Sequence, residues 1–389
     1  MDLEEITLGV DMNGGDWIRG SHPSEVITQG LRMFRERYPS INLQLFGDEV
    51  EINHNLKRYG IPTEGIMVSD FPGYYVNNRP AGLDNSMSAK EKKKQTSLIG
   101  MLDALNEEEI QCAYSLGDTG SLIAHATREI GFIRGLFRIT KGKYPPLIAE
   151  VPKLDGSNFL FLDVGANVDV SGRRLLKYGE LADSYARKAL DIDDPRIAAL
   201  SNGTETFKGN HTVKELERHM KRHNDHHEPA LNYVGYIEGK TGHGRYGRRG
   251  FFEEDIDIVL ADGFVGNTNT KTMEGLIETI YKKVKHEKDD IVKDGTIREK
   301  IGLALGYLSM WMLQGRLKRV ESEFHPDYRN AAPLLGLDAP IMKGHGNSSP
   351  RGVYHGLIRT LEYHQSGAIQ HMRDRFSKKG VDYNETQRS

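Results

Sequence analysis

Five segments of the sequence place glycine beside short polar side chains, directly after an apolar run. Glycine lets the backbone approach a ligand closely, and the N–H groups at helix starts attract anions. Together the segments predict a shared anion-binding cleft, although each one alone also fits a tight strand–helix turn. They are DMNGGD (Asp11–Asp16), SLGDTGS (Ser115–Ser121), DVGANVD (Asp163–Asp169), ADGFVGN (Ala261–Asn267) and KGHGNSS (Lys343–Ser349).

The fourth segment continues through NTKTMEG as far as Gly275. It follows the apolar run IDIVL and precedes a helical pattern that includes Met273 and Leu276. Asparagine, threonine and a single lysine, Lys271, contribute little to a core. They are suited to presenting amides, backbone N–H groups and one cation to a small anion. We therefore expect a loop here that forms one wall of the cleft.

The elements that must position these segments alternate between short apolar runs and amphipathic stretches. In PSEVITQGLRMFRERYP, Ile27, Leu31 and Phe34 have helical spacing, and Pro23 suits the first turn. The alternation predicts an α/β fold with a mainly parallel sheet between helices, whose strand ends meet at one edge. The predicted strands are ITLGVDM, NLQLFGD, CAYSLGD, FLFLDVG, AALSNG, NYVGYI, DIVLADG and APIMKG.

The length of 389 residues fits one long α/β domain or two subdomains. We predict a single domain over residues 1–377, with a mainly parallel sheet between helices. A polar tail follows at 378–389. The stretches 73–94 and 239–250 have the composition of loops.

Composition narrows the class of protein. The 52 basic and 55 acidic side chains give a net charge of −3, which argues against a dedicated nucleic-acid binder. The single cysteine, Cys112, can form no disulfide within the chain, and this favours a reducing, cytoplasmic compartment. The N-terminus has no signal-peptide pattern. The longest apolar-rich stretch, 301–313, falls short of the roughly 20 residues that a membrane-spanning helix needs.

Three motifs resemble known functional patterns but lack a feature that the pattern requires. GNTNTKT lacks the second glycine of a P-loop, because Thr270 occupies that position. GHGRYG has G-x-G-x-x-G spacing but neither follows a clear strand nor opens a clear helix. His219 and His223 have metal-ligand spacing on a helix, yet nothing evident orients them, and we expect no metal. The run EKKKQTSL (91–98) is either a solvated charge run or a basic lip for phosphate or an acidic partner.

In their order along the chain, the segments resemble the motifs of the PlsX-type phosphate acyltransferases. The matching stretches are DMNGGD, KKQTSL, SLGDTGSL, LDVGANVD, DGFVGNTNTKTMEG and GLDAPIMKGHG. The resemblance extends over about residues 6–365, and its fourth and fifth motifs are long and specific.

This resemblance implies transfer of a fatty acyl group from acyl carrier protein to inorganic phosphate, for phospholipid synthesis. A membrane glycerol-3-phosphate acyltransferase would use the acyl phosphate. The implied fold is a three-layer α/β/α sandwich with two subdomains around a cleft, similar to that of isocitrate and isopropylmalate dehydrogenases and of phosphotransacetylase. A homodimer without a cofactor is implied, cytoplasmic and peripheral at the inner face of the membrane.

The chain departs from the family pattern at several points. Asp118 replaces an asparagine and adds a negative charge where phosphate could sit, so we expect it to pair with a cation or to point away. Thr96 and Leu98 replace serine and methionine. The stretch 239–250 resembles an insertion. These departures indicate a divergent member whose acyl donor or chain length has changed.

Attack of phosphate on a thioester requires a cradle for the dianion, donors for the developing oxyanion and a proton for the leaving thiolate. Phosphate is itself the nucleophile, so no serine or cysteine nucleophile is needed. Lys271 and Lys343 are the candidates for charge on phosphate, His345 for proton transfer, and Asp262 for orienting a lysine or histidine, or for capping a helix. The candidate substrate-binding residues are Gly14, Gly15, Thr119, Gly120, Asn167, Gly263, Asn267 and Gly346.

Two other functions stay open at this point. A phosphate acyltransferase for short-chain acyl-CoA would share the fold, and a non-catalytic protein could bind an acyl ligand or a membrane partner. The amphipathic stretch 298–324 is bracketed by cations, and it predicts either peripheral membrane contact or a dimer surface.

Overall fold

The computed structural model describes residues 6–16, 22–77, 79–83, 86–136, 144–153, 155–205, 207–226, 230–239, 251–252, 256–302, 306, 327 and 331–385. Of the stretch 298–324, residues 303–305 and 307–324 lie outside the described residues, and so does most of 239–250. The strands are β1 (Thr7–Asp11), β2 (Asn42–Gly47), β3 (Ile66–Asp70), β4 (Tyr74–Val76), β5 (Arg79–Ala81), β6 (Cys112–Ser115), β7 (Ile148–Pro152), β8 (Asn158–Leu162), β9 (Ile197–Leu200), β10 (Tyr233–Ile237), β11 (Ile258–Leu260), β12 (Ala332–Pro333) and β13 (Ile341–Lys343).

Helices cover both sheets. They are α1 (Pro23–Arg37), α2 (Glu49–Arg58), α3 (Ala89–Lys94), α4 (Ser97–Asn106), α5 (Thr119–Glu129), α6 (Gly172–Ala189), α7 (His211–His226), α8 (Gly263–Asp294), α9 (Pro350–Gln365) and α10 (Ala368–Glu385). The predicted helix is α1, with Pro23 in its first turn and Ile27, Leu31 and Phe34 buried.

Two sheets form the framework. The first has the order β12-β13-β6-β1-β2-β3, in which only β12 is antiparallel to its neighbour. The second has the order β10-β9-β11-β8-β7, in which only β7 is antiparallel. Helices α1 and α9 pack together beside the first sheet, and α6 and α7 pack beside the second. The mainly parallel α/β architecture is confirmed.

The two sheets share a core. One hydrophobic cluster includes Val10 of β1, Leu162 of β8, Tyr178 of α6 and Phe376 of α10. An ion pair between Arg359 of α9 and Glu150 of β7 also joins the two halves. Continuous apolar contact across the two sheets holds their loop-bearing ends in a fixed relation, because displacing one half would break close packing.

The sequence interpretation needs three corrections. The five glycine segments end strands of two sheets rather than one: three in the first sheet and two in the second. The stretch 73–94 contains the hairpin β4–β5 and helix α3. The fourth glycine segment is helical from Gly263, because α8 begins there instead of near Met273.

Eight predicted strands are present, as β1, β2, β6, β8, β9, β10, β11 and β13. The strands that were not predicted are β3, β7 and β12, which lie at sheet edges, and the hairpin β4–β5. An edge strand buries less of its surface and so carries a weaker apolar signal; β3, for instance, keeps Met67 55% exposed.

Candidate functional site

Three neighbouring strands of the first sheet end in a row of polar residues. Asp11 of β1 is in register with Ser115 of β6, which is in register with Lys343 of β13. Residues in register on adjacent strands project from the same face of a sheet. All three residues are buried, with Lys343 only 8% exposed. The carboxyl edge of this sheet therefore carries an acid, a hydroxyl and an amine where water is largely excluded.

The carboxylate of Asp11 is the hydrogen-bonding centre of this row. Its Oδ1 accepts a 2.6 Å bond from Ser97 Oγ, at the start of α4, and its Oδ2 accepts a 2.7 Å bond from Ser115 Oγ. The backbone N–H groups of Asn13 and Gly14 also donate to it. Burial raises the pKa of Asp11, and these four donors oppose that rise. Four donors fit the ionised, acceptor-only carboxylate.

The ammonium of Lys343 bonds only to backbone carbonyls in the described part of the chain. Nζ donates to Leu116 O at 3.4 Å and to Gly344 O. Burial lowers its pKa to about 8, and the carboxylates of Asp16, Asp11 and Asp118 limit that decrease. A desolvated cation without a close carboxylate partner is suited to an anionic ligand.

Backbone segments pack closely around this row. The N–H of Asp16 donates to Gly346 O at 2.8 Å, which joins the first and fifth glycine segments. A Cβ on Gly14 would lie 2.5 Å from Asp11 Oδ2 and 2.6 Å from the nitrogen of Gly117. Contacts this short exclude any side chain. Glycine at position 14 thus lets two loops meet above the carboxylate.

The carboxylate of Asp163 organises the loop after β8 in the second sheet. It accepts hydrogen bonds from the backbone N–H groups of Gly165, Ala166 and Asn167 and from the amide of Asn167, at 2.8–3.0 Å. Burial raises the pKa of Asp163, and these bonds oppose the rise. One acid therefore sets the shape of the whole DVGAN turn.

Both ends of the Asn167 amide have protein partners. Oδ1 accepts from the N–H of Tyr144 at 3.1 Å and from Arg174 Nη2 at 2.8 Å. Nδ2 donates to Tyr144 O and to Asp163 Oδ2. These contacts give the side chain a structural task, because it joins the Asp163 turn to Tyr144 and Arg174.

The first turns of α8 lie against the Asp163 loop. Asp262 is the N-cap of α8 and accepts from the N–H of Val265 at 2.9 Å, the capping alternative stated for this residue. A Cβ on Gly263 would lie 2.0 Å from Asn167 O, and one on Gly266 would lie 1.9 Å from Asp163 O. The glycines of this segment thus serve close packing of helix on loop. Asn267 is exposed and lies beside Gly165.

The two halves of the site meet at His345. His345 is exposed, yet partial desolvation lowers the pKa of its imidazole. The positive charge of Lys343 lowers that pKa further. The charges of Glu274 and Lys271, on α8, also act on it. The side chain of Lys271 is 64% exposed and forms a 2.7 Å ion pair with Glu274. Lys271 therefore acts on His345 from α8 with its own charge already paired with Glu274.

The second glycine segment supplies a helix start. Thr119 and Gly120 are exposed in the first turn of α5. Asp118 caps this helix: its Oδ1 accepts from the N–H of Ser121 at 2.8 Å and from Ser121 Oγ at 2.7 Å. Asp118 thus serves as a helix cap, while its negative charge also acts on Lys343.

Sequence reasoning missed four residues of the site. Ser97 and Ser115 hold Asp11, Asp163 shapes its own loop, and Arg174 holds Asn167. All but Arg174 lie in motifs already singled out. The register of β1 and β6 distinguishes Ser115 from an ordinary turn residue, and long-range hydrogen bonds distinguish Ser97 and Asp163. Within the described ranges, no group of three or more His, Cys, Asp or Glu side chains could hold a metal ion.

Comparison with known proteins decides the family. A family model described as "Fatty acid synthesis protein" matches residues 6–371. The chain belongs to this family. A phosphate acyltransferase of Staphylococcus aureus strain Newman is 30% identical over 371 residues, covering 95% of this chain and 98% of that protein. The motif resemblance is confirmed, and the chain is an enzyme of the phosphate acyltransferase class.

Solved structures support the fold. A phosphotransacetylase from Streptococcus pyogenes has a TM-score of 0.55 at 15% identity, covering 93% of this chain and 94% of that chain. A 4-hydroxythreonine-4-phosphate dehydrogenase from Klebsiella pneumoniae has a TM-score of 0.51 at 10% identity, covering 92% and 99%. At these identities the likeness concerns the fold alone. No helix among the described residues is long and apolar enough to cross a membrane.

Proposed function

We propose that the protein transfers a fatty acyl group from an acyl carrier protein thioester to inorganic phosphate, giving an acyl phosphate for phospholipid synthesis. One observation carries the proposal: the buried ammonium of Lys343, bonded to carbonyls and surrounded by glycine loops. A doubly charged phosphate would supply the missing anionic partner. Family membership and the name of the Staphylococcus aureus relative support the reaction class.

In the proposed reaction, an oxygen of hydrogen phosphate attacks the thioester carbonyl carbon. The C–O bond forms, the C–S bond breaks, and the thiolate leaves with its electron pair. Lys343 holds the phosphate, and the exposed first turn of α5, at Thr119 and Gly120, donates N–H groups to it. Gly14, Gly15 and Gly346 allow the backbone to approach the same anion.

His345 moves the proton in this scheme. Its lowered pKa keeps the imidazole neutral near pH 7, so that it can accept the phosphate hydroxyl proton. It then returns that proton to the leaving thiolate, and the overall reaction conserves charge. Asn267, exposed beside the Asp163 loop, is the proposed donor to the thioester oxygen. Lys271 adds positive charge at the mouth of the cleft.

The acyl donor is tested directly. The protein is incubated with phosphate and acyl carrier protein thioesters of graded chain length, and in parallel with matched acyl-CoA thioesters. Acyl phosphate is trapped with hydroxylamine. We expect product from long-chain carrier protein thioesters. Product from short-chain acyl-CoA alone would establish the alternative donor, and absence of product from every thioester would favour a binding protein.

The proposal extends to a homodimer that delivers its product to a membrane glycerol-3-phosphate acyltransferase. The homodimer is supported by the middle of α8, where Leu276, Ile277 and Ile280 are 60%, 54% and 55% exposed. Such a stripe is suited to a second copy of the helix. Membrane contact is the competing role of this stripe, as it is of the stretch 298–324.

One double variant separates the two roles. Ile277→Glu with Ile280→Glu should convert dimers to monomers in analytical ultracentrifugation, because two charges cannot be buried in such a seam. Unchanged dimers together with lost co-sedimentation on anionic liposomes would assign the stripe to the membrane.

A further inference from the structure

Asp11 lies at the centre of the site but is shielded from solvent. It is 2% exposed, and all four of its donors belong to the protein. They come from three separate segments: the loop after β1, the start of α4 and the end of β6. A side chain so placed reaches no substrate. It determines instead where the surrounding backbone lies.

We propose that Asp11 is a positioning residue for the phosphate transfer, and that its bonds to Ser97 and Ser115 hold the loops around the ammonium of Lys343. This inference rests on the proposed function. Ser115 carries the constraint onward, since its Oγ also accepts a 2.9 Å bond from the N–H of Gly117. Asp11 therefore controls the 116–118 loop, whose Leu116 carbonyl accepts from Lys343.

Stability does not explain a carboxylate at this position. Burial raises the pKa of Asp11, so its ionised form is less favourable in the folded protein than in the unfolded chain. A raised folded pKa means that this contribution to stability is lost as pH rises through it. Asparagine removes this cost of desolvation but replaces one acceptor oxygen with a donor, so the fold should persist with only a modest change in stability. A residue retained at a cost to stability in a site is the mark of a functional constraint.

The negative charge of Asp11 also raises the pKa of Lys343, and the test must separate this electrostatic effect from positioning. Several charged or titratable groups surround Lys343. They are Asp11 on β1, Asp16 after it, Tyr114 on β6, Asp118 at α5, His345 on the adjoining loop, and Lys271 and Glu274 facing that histidine from α8. Asp16 supports the charged lysine more strongly than Asp11 does. The four hydrogen bonds from serine hydroxyls and loop N–H groups go to Asp11 and not to Asp16.

Asp16 thus provides a matched control of the same residue type. Both Asp11→Asn and Asp16→Asn remove a negative charge near Lys343, and both should move the alkaline limb of the kcat/KM profile for phosphate to lower pH. At about pH 6.5, below the wild-type pKa of about 8, the effect on lysine protonation is reduced in both variants. Because the charge is removed in both, the difference between the two variants at this pH reports on position.

We expect Asp16→Asn to lie within about threefold of wild type at that pH, as for an exposed charge. Asp11→Asn should stay about 100-fold below wild type, the scale of a misplaced reacting group. The variant should remain folded, with a circular dichroism spectrum and a cooperative melting transition like those of wild type. Ser115→Ala should lose about tenfold, as for one hydrogen bond to a charged group. Equal values for the two Asn variants at low pH would overturn the inference.

Two further readouts close the remaining gaps. If Asp11→Asn does not fold, Ser115→Ala and Ser97→Ala decide, and wild-type kcat/KM in both would overturn the proposal. Stabilisation of the melting temperature by inorganic phosphate, measured without thioester, separates this inference from the proposed function. Phosphate should stabilise wild type and Asp16→Asn but not Asp11→Asn. Stabilisation without acyl transfer would reject only the function, and equal stabilisation of all three would reject only the role of Asp11.

Discussion

Two lysines that sequence patterns assigned to the same task occupy opposite environments. Lys343 ends an inner strand of the first sheet, is 8% exposed and has its pKa lowered to about 8. Lys271 lies in the third turn of α8, has a 64% exposed side chain and pairs with Glu274. A charge is worth more where water is excluded. The comparison teaches that residue type and motif position do not measure functional weight, whereas burial and partners do.

The sharpest test substitutes each lysine by the similarly sized methionine. Lys343→Met should lower kcat/KM for phosphate by about 10³-fold, the upper range for loss of one buried donor to a reacting anion. Lys271→Met should lower it by less than about tenfold, because an exposed, paired charge contributes little. Steady-state kinetics at varied phosphate measures both. Similar losses of kcat/KM in the two variants would contradict the proposed difference between the two lysines.

The second prediction concerns the packing of α8 on the Asp163 loop. Gly266→Ala places a methyl group 1.9 Å from Asp163 O, so the helix or the loop must shift. We expect a loss of about 3 kcal/mol in the free energy of unfolding, as for overpacking. Gly275, in the same helix, has no atom within 4 Å of its Cβ position. Gly275→Ala should stabilise by about 0.5–1 kcal/mol. Urea denaturation checks the pair, and equal effects would mean that α8 does not rest on that loop.

The third prediction is a pH dependence with opposite signs for activity and stability. Lys343 loses its charge as pH rises through about 8, so kcat/KM for phosphate should fall there. An unfolded lysine titrates near 10.4. Between these values the unfolded chain binds more protons, and the contribution of Lys343 to stability therefore rises with pH. Lys343→Arg keeps its charge and should flatten the alkaline limb. A wild-type profile that is already flat to pH 10 would contradict the lowered pKa.

The smallest effect is expected at Asp118. Asparagine caps a helix about as well as aspartate, so Asp118→Asn should unfold at the same denaturant concentration as wild type. Removing a carboxylate near the phosphate cradle should leave activity equal or raise it by up to about threefold. Asp118→Ala lacks the cap and should lose about 1 kcal/mol of stability. A large loss of activity in the Asn variant alone would give this position a catalytic task.

Much of the fold follows from local pattern. Apolar runs predicted eight strands because fully buried strands, such as β8 and β11, carry an unbroken hydrophobic signal. Helix α1 was predicted because Pro23 suits a first turn and because Ile27, Leu31 and Phe34 have helical spacing. The family was also evident from sequence, since the motifs LDVGANVD and DGFVGNTNTKTMEG are long enough to be specific.

Long-range relations decided the rest. The sequence by itself determined the reaction class, the α/β architecture and the glycine segments, because motif, period and composition are local properties. Only the tertiary structure divided those segments between two sheets and continued one of them as helix α8. It alone placed Asp11, Ser115 and Lys343 in one buried row, although more than 200 residues separate the last two. Register, burial and the pKa shifts that burial causes arise from contacts between distant segments, and no single segment contains that information.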